Sequence, residues 1–109
     1  MRIKEILEQL EIPVAYDHFN TATQPPFIVY RRYSQSNFGA DNKVYKVINN
    51  YYVYLVTQYK DIELEDKLQQ LFDENEIYFN AISEDYISEE NTYQIIYDIT
   101  FEENEIESI

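Results

Sequence analysis

Carboxylates are the only side chains that this sequence supplies in quantity for acid–base chemistry. The chain of 109 residues holds 21 acidic residues, one histidine and no cysteine. A catalytic acid that works near neutral pH needs apolar surroundings that raise its pKa, whereas these acids fall on predicted solvated faces and loops. Their abundance also makes any single pair uninformative. We therefore expect no enzymatic activity, no catalytic residue and no cofactor.

A defined metal site is not expected either. The absence of cysteine excludes thiolate ligands and disulfides, and the single His18 is too little for a histidine-based zinc site. The acidic runs 73–76 and 102–105 lack the alternating ligands and the central glycine of a calcium-binding EF-hand loop. Asp17 precedes His18, but adjacent strand residues point to opposite faces. We interpret His18 as a surface or capping residue.

The charge is divided along the chain. Residues 1–60 carry seven basic and five acidic residues, whereas residues 61–109 carry sixteen acidic residues and one basic residue, Lys67. The net charges of the two parts are +2 and −15, which gives the −13 of the whole chain. Charge of this kind describes partners and solubility rather than fold. It predicts that the two parts attract each other in different copies, and that the chain does not bind specific nucleic acid sequences.

No membrane association is expected. No apolar run approaches the roughly 20 residues that a membrane-spanning helix needs. The first residues, 1–5, are charged and periodic rather than signal-like. The sequence thus favours a soluble intracellular protein.

Two helices are predicted. Ile3, Ile6, Leu7 and Leu10 form a short apolar stripe that ends before Pro13. Asp61 is placed to cap a second helix, because a carboxylate accepts hydrogen bonds from the free N–H groups of a first turn. Its apolar stripe is predicted to be Leu64, Leu68, Leu71 and Phe72, and its water-facing side Glu65, Asp66, Gln69, Gln70 and Asp73.

Five strands are predicted from β-branched and aromatic residues. Residues 27–33 form the first, and Ser34 to Asn42 follow as a loop. Val44–Ile48 and Tyr51–Gln58 are read as two strands joined by a tight turn at Asn49 and Asn50, since Asn tolerates positive φ. Ile77–Ile82 and an alternating run from Tyr93 to Phe101 complete the set.

These elements predict one α+β domain over residues 1–101. We expect a mainly antiparallel sheet of four to five strands with two helices on one face, in the order α-β-β-β-α-β-β. Residues 102–109 are expected to form a frayed acidic C-terminal segment. The loop 34–42 leaves two readings of Phe38 open, as a core contact or as a residue presented to a partner beside Arg31 and Arg32.

The order of several short motifs resembles one known family. Pro25-Pro26-Phe27-Ile28-Val29-Tyr30, Phe38-Gly39-Ala40-Asp41-Asn42, Tyr51-Tyr52-Val53-Tyr54-Leu55-Val56-Thr57 and Lys60-Asp61-Ile62-Glu63-Leu64-Glu65 follow one another, after an opening Ile12-Pro13-Val14-Ala15-Tyr16. In this order and spacing, over most of residues 11–101, the chain resembles the tail-terminator (tail-completion, head–tail joining) proteins of long-tailed phages and prophages of Gram-positive bacteria. No single motif is specific; their succession carries the resemblance.

The resemblance implies a virion structural protein without a catalytic site. Such a subunit would form a hexameric ring on the tail tube, stop tube growth and offer the surface to which the head joins. Its partners would be copies of itself, the tail-tube protein and a head-completion protein. It would act in the host cytoplasm during assembly and then reside at the tail–head junction of the virion.

The charge division then suggests an interface, because a ring joins one patch to a different patch on the neighbour. The hypothesis assigns the basic side to Arg31, Arg32, Phe38, Asp41, Asn42, Lys43 and Lys46. It assigns the acidic counter-surface or the ring lumen to Glu65, Asp66, Asp73, Glu84, Asp85, Glu89 and Glu90.

A rival function comes from another class of protein. The acidic part, residues 61–109, could imitate the phosphates of DNA and inhibit a basic DNA-binding protein. That reading predicts a monomer or dimer and steeply salt-dependent binding to basic partners, whereas the ring reading predicts self-association.

Overall fold

The computed structural model describes residues 2–40 and 43–103; the side chains of residues 38–45 lie outside the description. Two helices and five strands follow one another along the chain, in the predicted order α-β-β-β-α-β-β. Their bounds are α1 Ile3–Glu8, β1 Val14–Tyr16, β2 Phe27–Ala40, β3 Lys43–Thr57, α2 Ile62–Glu74, β4 Tyr78–Ile87 and β5 Thr92–Glu103. The predicted α+β class is confirmed.

The five strands form one mixed sheet in the order β1-β2-β3-β5-β4. The short β1 pairs parallel with β2, and the other three junctions are antiparallel. This order leaves β4 as one edge of the sheet, and β1 with the outer side of β2 as the other. At about 4.8 Å per strand, β2 and β4 run roughly 14 Å apart.

Both helices pack on one face of the sheet, which we call the helical face. Alternate residues of β2, β3 and β5 point to this face, and the apolar stripes of α1 and α2 cover them. Tyr97 and Phe72 are the largest fully buried side chains, and their rings meet edge to face at 5.7 Å. Among the described residues no helix covers the opposite face, which we call the open face.

The predicted cap of α2 and most of its predicted pattern of buried and exposed residues are confirmed. The Asp61 carboxylate accepts a hydrogen bond from the Leu64 N–H at 3.1 Å, as an N-cap side chain does. Leu68 and Phe72 are fully buried. Glu65 was expected to face water, and this is wrong: it is 7% exposed.

The predicted loop over residues 34–42 is also wrong as far as the structure describes it. Residues 34–40 continue β2, and they pair with β3 as far as Ala40 and Lys43. The prediction failed because residues 34–37 are all exposed, so this part of β2 does not alternate between apolar and polar residues. Polar side chains instead bond across the hairpin, as Asn50 Nδ2 does to Ser34 Oγ at 2.7 Å.

The predicted turn at Asn49 and Asn50 does not exist, because β3 runs straight through both residues. Asn49 is fully buried, and its side chain accepts a bond from Gln35 at 2.8 Å and donates one to Glu103 at 2.5 Å. Asn50 accepts a bond from the Thr100 hydroxyl. Cross-strand hydrogen bonds thus stabilise an Asn pair that the sequence alone associates with a turn.

Two acidic residues of the predicted frayed segment belong to β5. Glu102 is exposed, but Glu103 is 4% exposed, and its carboxylate accepts bonds from Asn49, from the Tyr51 hydroxyl at 2.6 Å and from the Ile3 N–H at 3.4 Å. The donors come from β3 and α1. Glu103 therefore joins three elements; residues 104–109 lie outside the described residues.

The tyrosines give a first testable prediction, on alkaline pH. Hydrogen bonding to Asp98 raises the pKa of Tyr33 from 10.0 to about 12, and burial is the main cause that raises the pKa values of Tyr30, Tyr51 and Tyr97. A raised pKa means that the folded state favours the neutral phenol. This stabilisation is present below pH 10 and is lost as the pH rises towards the folded-state values.

We expect the absorbance of the folded protein at 295 nm to show a late-titrating class of tyrosines, and the free energy of unfolding to fall above pH 10. Tyr33→Phe should remove one late-titrating group without removing the others. Ionisation of all tyrosines in one step near pH 10, before any unfolding, would contradict this expectation.

Candidate assembly surfaces

The predicted interface residues on the sheet lie on two different strands and in the turn after one of them. Arg31 and Arg32 lie on β2, whereas Glu84 and Asp85 lie on β4 and Glu89 and Glu90 follow in the turn 88–91. Two strands separate β2 from β4. We call the four acidic residues on β4 and in its turn the acidic edge. The strand order thus gives one chain a basic and an acidic side.

Arg31 and Arg32 point to opposite faces because they are adjacent on a strand. Arg31 lies in a groove of about 310 Å³ on the open face, which also contains Asp17 and Glu90. No acidic group among the described residues comes within 4.0 Å of the Arg31 guanidinium. The two acids in the groove nevertheless lower the potential around Arg31, which weakens its attraction to a neighbouring copy.

Arg32 lies on the helical face, in a second pocket of about 260 Å³ beside β1 and the start of α1. Arg2 and Lys4 line the same pocket. The Arg32 N–H is bonded to the Tyr16 hydroxyl at 3.2 Å, which fixes the strand edge at this point. Arg2 and Lys4 were not among the predicted interface residues; only the fold brings them to Arg32, because α1 starts beside β2.

The remaining basic residues of the hypothesis lie on a two-stranded projection. We call residues 37–40 and 43–46 the hairpin arm, since within the described residues β5 pairs with β3 only as far as Val47. Phe38 and Lys43 belong to the arm through their backbone, and Asp41 and Asn42 lie outside the described residues. Lys46 is exposed, 3.9 Å from the equally exposed Glu102, a pair that contributes little in water.

Two of the predicted acidic residues are held within the chain. Lys60 Nζ lies 2.7 Å from Glu65 Oε1 and 3.0 Å from Glu84 Oε1, and the Tyr93 hydroxyl donates to Glu84 Oε2 at 2.9 Å. The hydrogen bond from Lys60, followed by that from Tyr93, lowers the pKa of Glu84. Glu65 is therefore withdrawn from the surface, and the charge of Glu84 is partly compensated.

The other predicted acids are exposed. Asp66 and Asp73 lie on the water-facing side of α2, and Asp85, Glu89 and Glu90 lie at the end of β4 and in the turn after it. This turn stands at the opposite end of the sheet from the hairpin arm, because Thr92 follows it and the neighbouring Tyr93 pairs with Thr57 at the end of β3. The molecule extends 53 Å along its longest axis.

The Asp17–His18 pair differs from the expectation. The two side chains do meet, with His18 Nδ1 2.9 Å from Asp17 Oδ2, because β1 has ended and Asp17 takes a positive φ of 69°. Both side chains are largely exposed. No group of three or more potential metal-binding side chains occurs in residues 2–40 and 43–103.

Within the described part of the chain no helix is long and apolar enough to cross a membrane.

No protein-family model and no curated protein matches this sequence.

Proposed function

We propose that this protein is a phage tail terminator, a non-enzymatic subunit that assembles head to tail into a ring on the tail tube. The observation that carries the proposal is the separation of charge across one sheet. Basic side chains lie at the β1–β2 edge, and the acidic edge lies on β4 and its turn, with β3 and β5 in between. The sheet keeps Arg32 apart from Glu84 and Asp85, so these groups meet most readily between copies, whereas Glu90 lines the groove of Arg31 within one chain.

Such a contact joins two different surfaces, and repeated contacts of this type close into a ring or continue as a filament. Complementary charge of this kind sets orientation and association rate more than affinity. The ring also agrees with the order of motifs that resembles tail terminators. Its partners would be neighbouring copies, the tail-tube protein and a head-completion protein, as that resemblance implies.

The hairpin arm supports assembly independently of charge. A two-stranded hairpin is marginally stable in water unless its strands pack on something else. The arm extends beyond the last described residues of β5, and no described strand pairs with its outer edges; open strand edges are templates for pairing with another chain. We therefore assign the arm to a contact with a neighbouring copy or with the tube.

Negative-stain electron microscopy of the concentrated protein tests the closed form of the assembly. We expect rings of uniform diameter, alone or on added tail tubes. Open filaments of varying length would contradict ring closure while leaving the head-to-tail contact in place.

The second candidate function is inhibition of a DNA-binding protein. The exposed acidic residues of α2 favour it. Glu63, Asp66, Asp73 and Glu74 all face water there, so that one helix presents a run of negative charge. This function requires no contact between copies and expects tight, salt-sensitive binding to basic proteins.

A further inference from the structure

The pocket around Arg32 has a composition unlike the rest of this acidic chain. Among the described residues, three basic side chains and one acidic side chain, Glu103, line its volume of about 260 Å³. We call it the basic pocket. It lies between the start of α1 and the edge formed by β1 and β2, and its other polar lining residues are Tyr16, Tyr30 and Tyr51.

Glu103, the described acid that lines the basic pocket, is already satisfied by its own chain. Glu103 is 4% exposed. One carboxylate oxygen accepts bonds from Asn49 and from the Tyr51 hydroxyl, and the other accepts a bond from the Ile3 N–H. The negative charge is thus turned towards donors of β3 and α1.

The Tyr30 hydroxyl, in contrast, has no hydrogen-bond partner among the described residues. Tyr30 is 8% exposed, and its ring is fixed by stacking on Tyr16 at 5.2 Å and by a tilted contact with Tyr51 at 5.9 Å. Among the described residues Thr92 Oγ1 is the one fully buried side-chain polar atom without a partner, so the unpaired Tyr30 hydroxyl is open to the basic pocket. A ligand in the basic pocket would supply the missing acceptor.

Two cations are placed to hold such a ligand. Lys4 and Arg32 are exposed on the rim, and neither has an acidic partner within 4.0 Å among the described residues. A guanidinium presents a planar set of donors that matches the oxygens of a phosphate or a carboxylate. An ammonium adds a compact positive charge.

We propose that the basic pocket is a binding site for an oxyanion, a phosphate or carboxylate group that accepts a hydrogen bond from the Tyr30 hydroxyl and pairs with Arg32 and Lys4. Burial raises the pKa of Tyr30, so this hydroxyl stays protonated and remains a donor at neutral pH. The group belongs either to a free small anion or to an acidic side chain of a neighbouring copy. The site itself does not depend on ring assembly.

Inorganic phosphate is the probe for this site, titrated at constant ionic strength so that general screening of the acidic chain stays fixed. Backbone amide shifts measured by NMR report where phosphate binds. We expect saturable shifts at Tyr30, Arg32 and Lys4, and about tenfold weaker binding for Tyr30→Phe, which removes only the hydroxyl. Lys4→Gln, on an exposed side chain, should also weaken binding.

Tyr54→Phe is the matched control, because Tyr54 lies on the open face, away from the basic pocket. It should bind phosphate like the wild type. Shifts that do not saturate, or equal affinities for Tyr30→Phe, Lys4→Gln and the wild type, would overturn the proposal.

A second arm of the experiment identifies the source of the oxyanion. If saturating phosphate lowers the molar mass of assembled protein, and does so less for Lys4→Gln, the pocket takes a carboxylate of the neighbouring copy. If phosphate binds and the mass is unchanged, the ligand is a free anion. Either result supports the site, and phosphate binding to a protein that never self-associates would contradict the proposed function alone.

Discussion

Replacement of Arg31 and Arg32 by glutamate should reduce self-association of this protein by about tenfold or more. Each change places a negative charge at the proposed contact with the acidic edge of a neighbouring copy. Like charges at an interface cost several kcal/mol, and tenfold corresponds to only about 1.4 kcal/mol. The measurement is the concentration dependence of the sedimentation coefficient at fixed salt.

The single variants Arg31→Glu and Arg32→Glu measure separately how much the open face and the helical face contribute to self-association. Arg32→Glu should be more damaging than Arg31→Glu, because Arg31 shares its groove with Asp17 and Glu90 whereas Arg32 lies among basic residues. Lys67→Glu, on an exposed position of α2, changes the net charge by the same amount as either single variant and is the matched control.

Charge reversal on the acidic edge should rescue the self-association that the arginine variants lose. Glu89→Lys with Glu90→Lys should also impair self-association, and combining it with the two arginine reversals in one chain should restore part of it. If Lys67→Glu weakens association as much as Arg32→Glu does, total charge rather than a defined contact governs the behaviour.

Replacement of Glu103 by alanine should lower the free energy of unfolding by about 2–4 kcal/mol. The change leaves the Asn49 amide and the Tyr51 hydroxyl, both buried, without their acceptor. Each buried polar group that loses its partner costs about 1–3 kcal/mol. Urea unfolding followed by circular dichroism gives the value.

The adjacent Glu102 is the natural control for this experiment. It lies on the same strand, but its side chain is 55% exposed and only 3.9 Å from Lys46. Glu102→Ala should therefore change the free energy of unfolding by no more than about 0.5 kcal/mol. Equal destabilisation by the two variants would show that Glu103 does not join β3, β5 and α1 as described.

Elements with a marked pattern were predictable from the sequence, and elements without one were not. In α2 and in β5 one side of the element is buried, and one-sided burial produces a periodic pattern of apolar residues. The apolar stripe and cap of α2 and the alternation from Tyr93 to Phe101 in β5 could therefore be predicted from the sequence. Residues 34–37, which were predicted to begin a loop, are all exposed in β2 and therefore show no such alternation. Asn49 and Asn50 were misread because their acceptors and donors lie on other strands.

The same distinction applies to the candidate surfaces. The division of charge is readable from the sequence, but its consequence depends on the strand order, which places β2 and β4 on opposite sides of the sheet. The burial of Glu65 follows from Lys60, which also reaches Glu84 on β4. Arg2 and Lys4 join Arg32 only because α1 starts beside β2. Contacts between distant parts of the chain carry no local signal.

The most direct test of the central claim, that opposite sides of one sheet join copies head to tail, is the molar mass in solution. Light scattering on a sizing column, over a range of protein and salt concentrations, gives this mass without labels. We expect a mass that rises with protein concentration towards about six subunits of 13.2 kDa and that falls as added salt screens the contact. A strict monomer at every concentration, with tail tube added as well as without it, would contradict head-to-tail assembly and would favour the inhibitor of a basic DNA-binding protein.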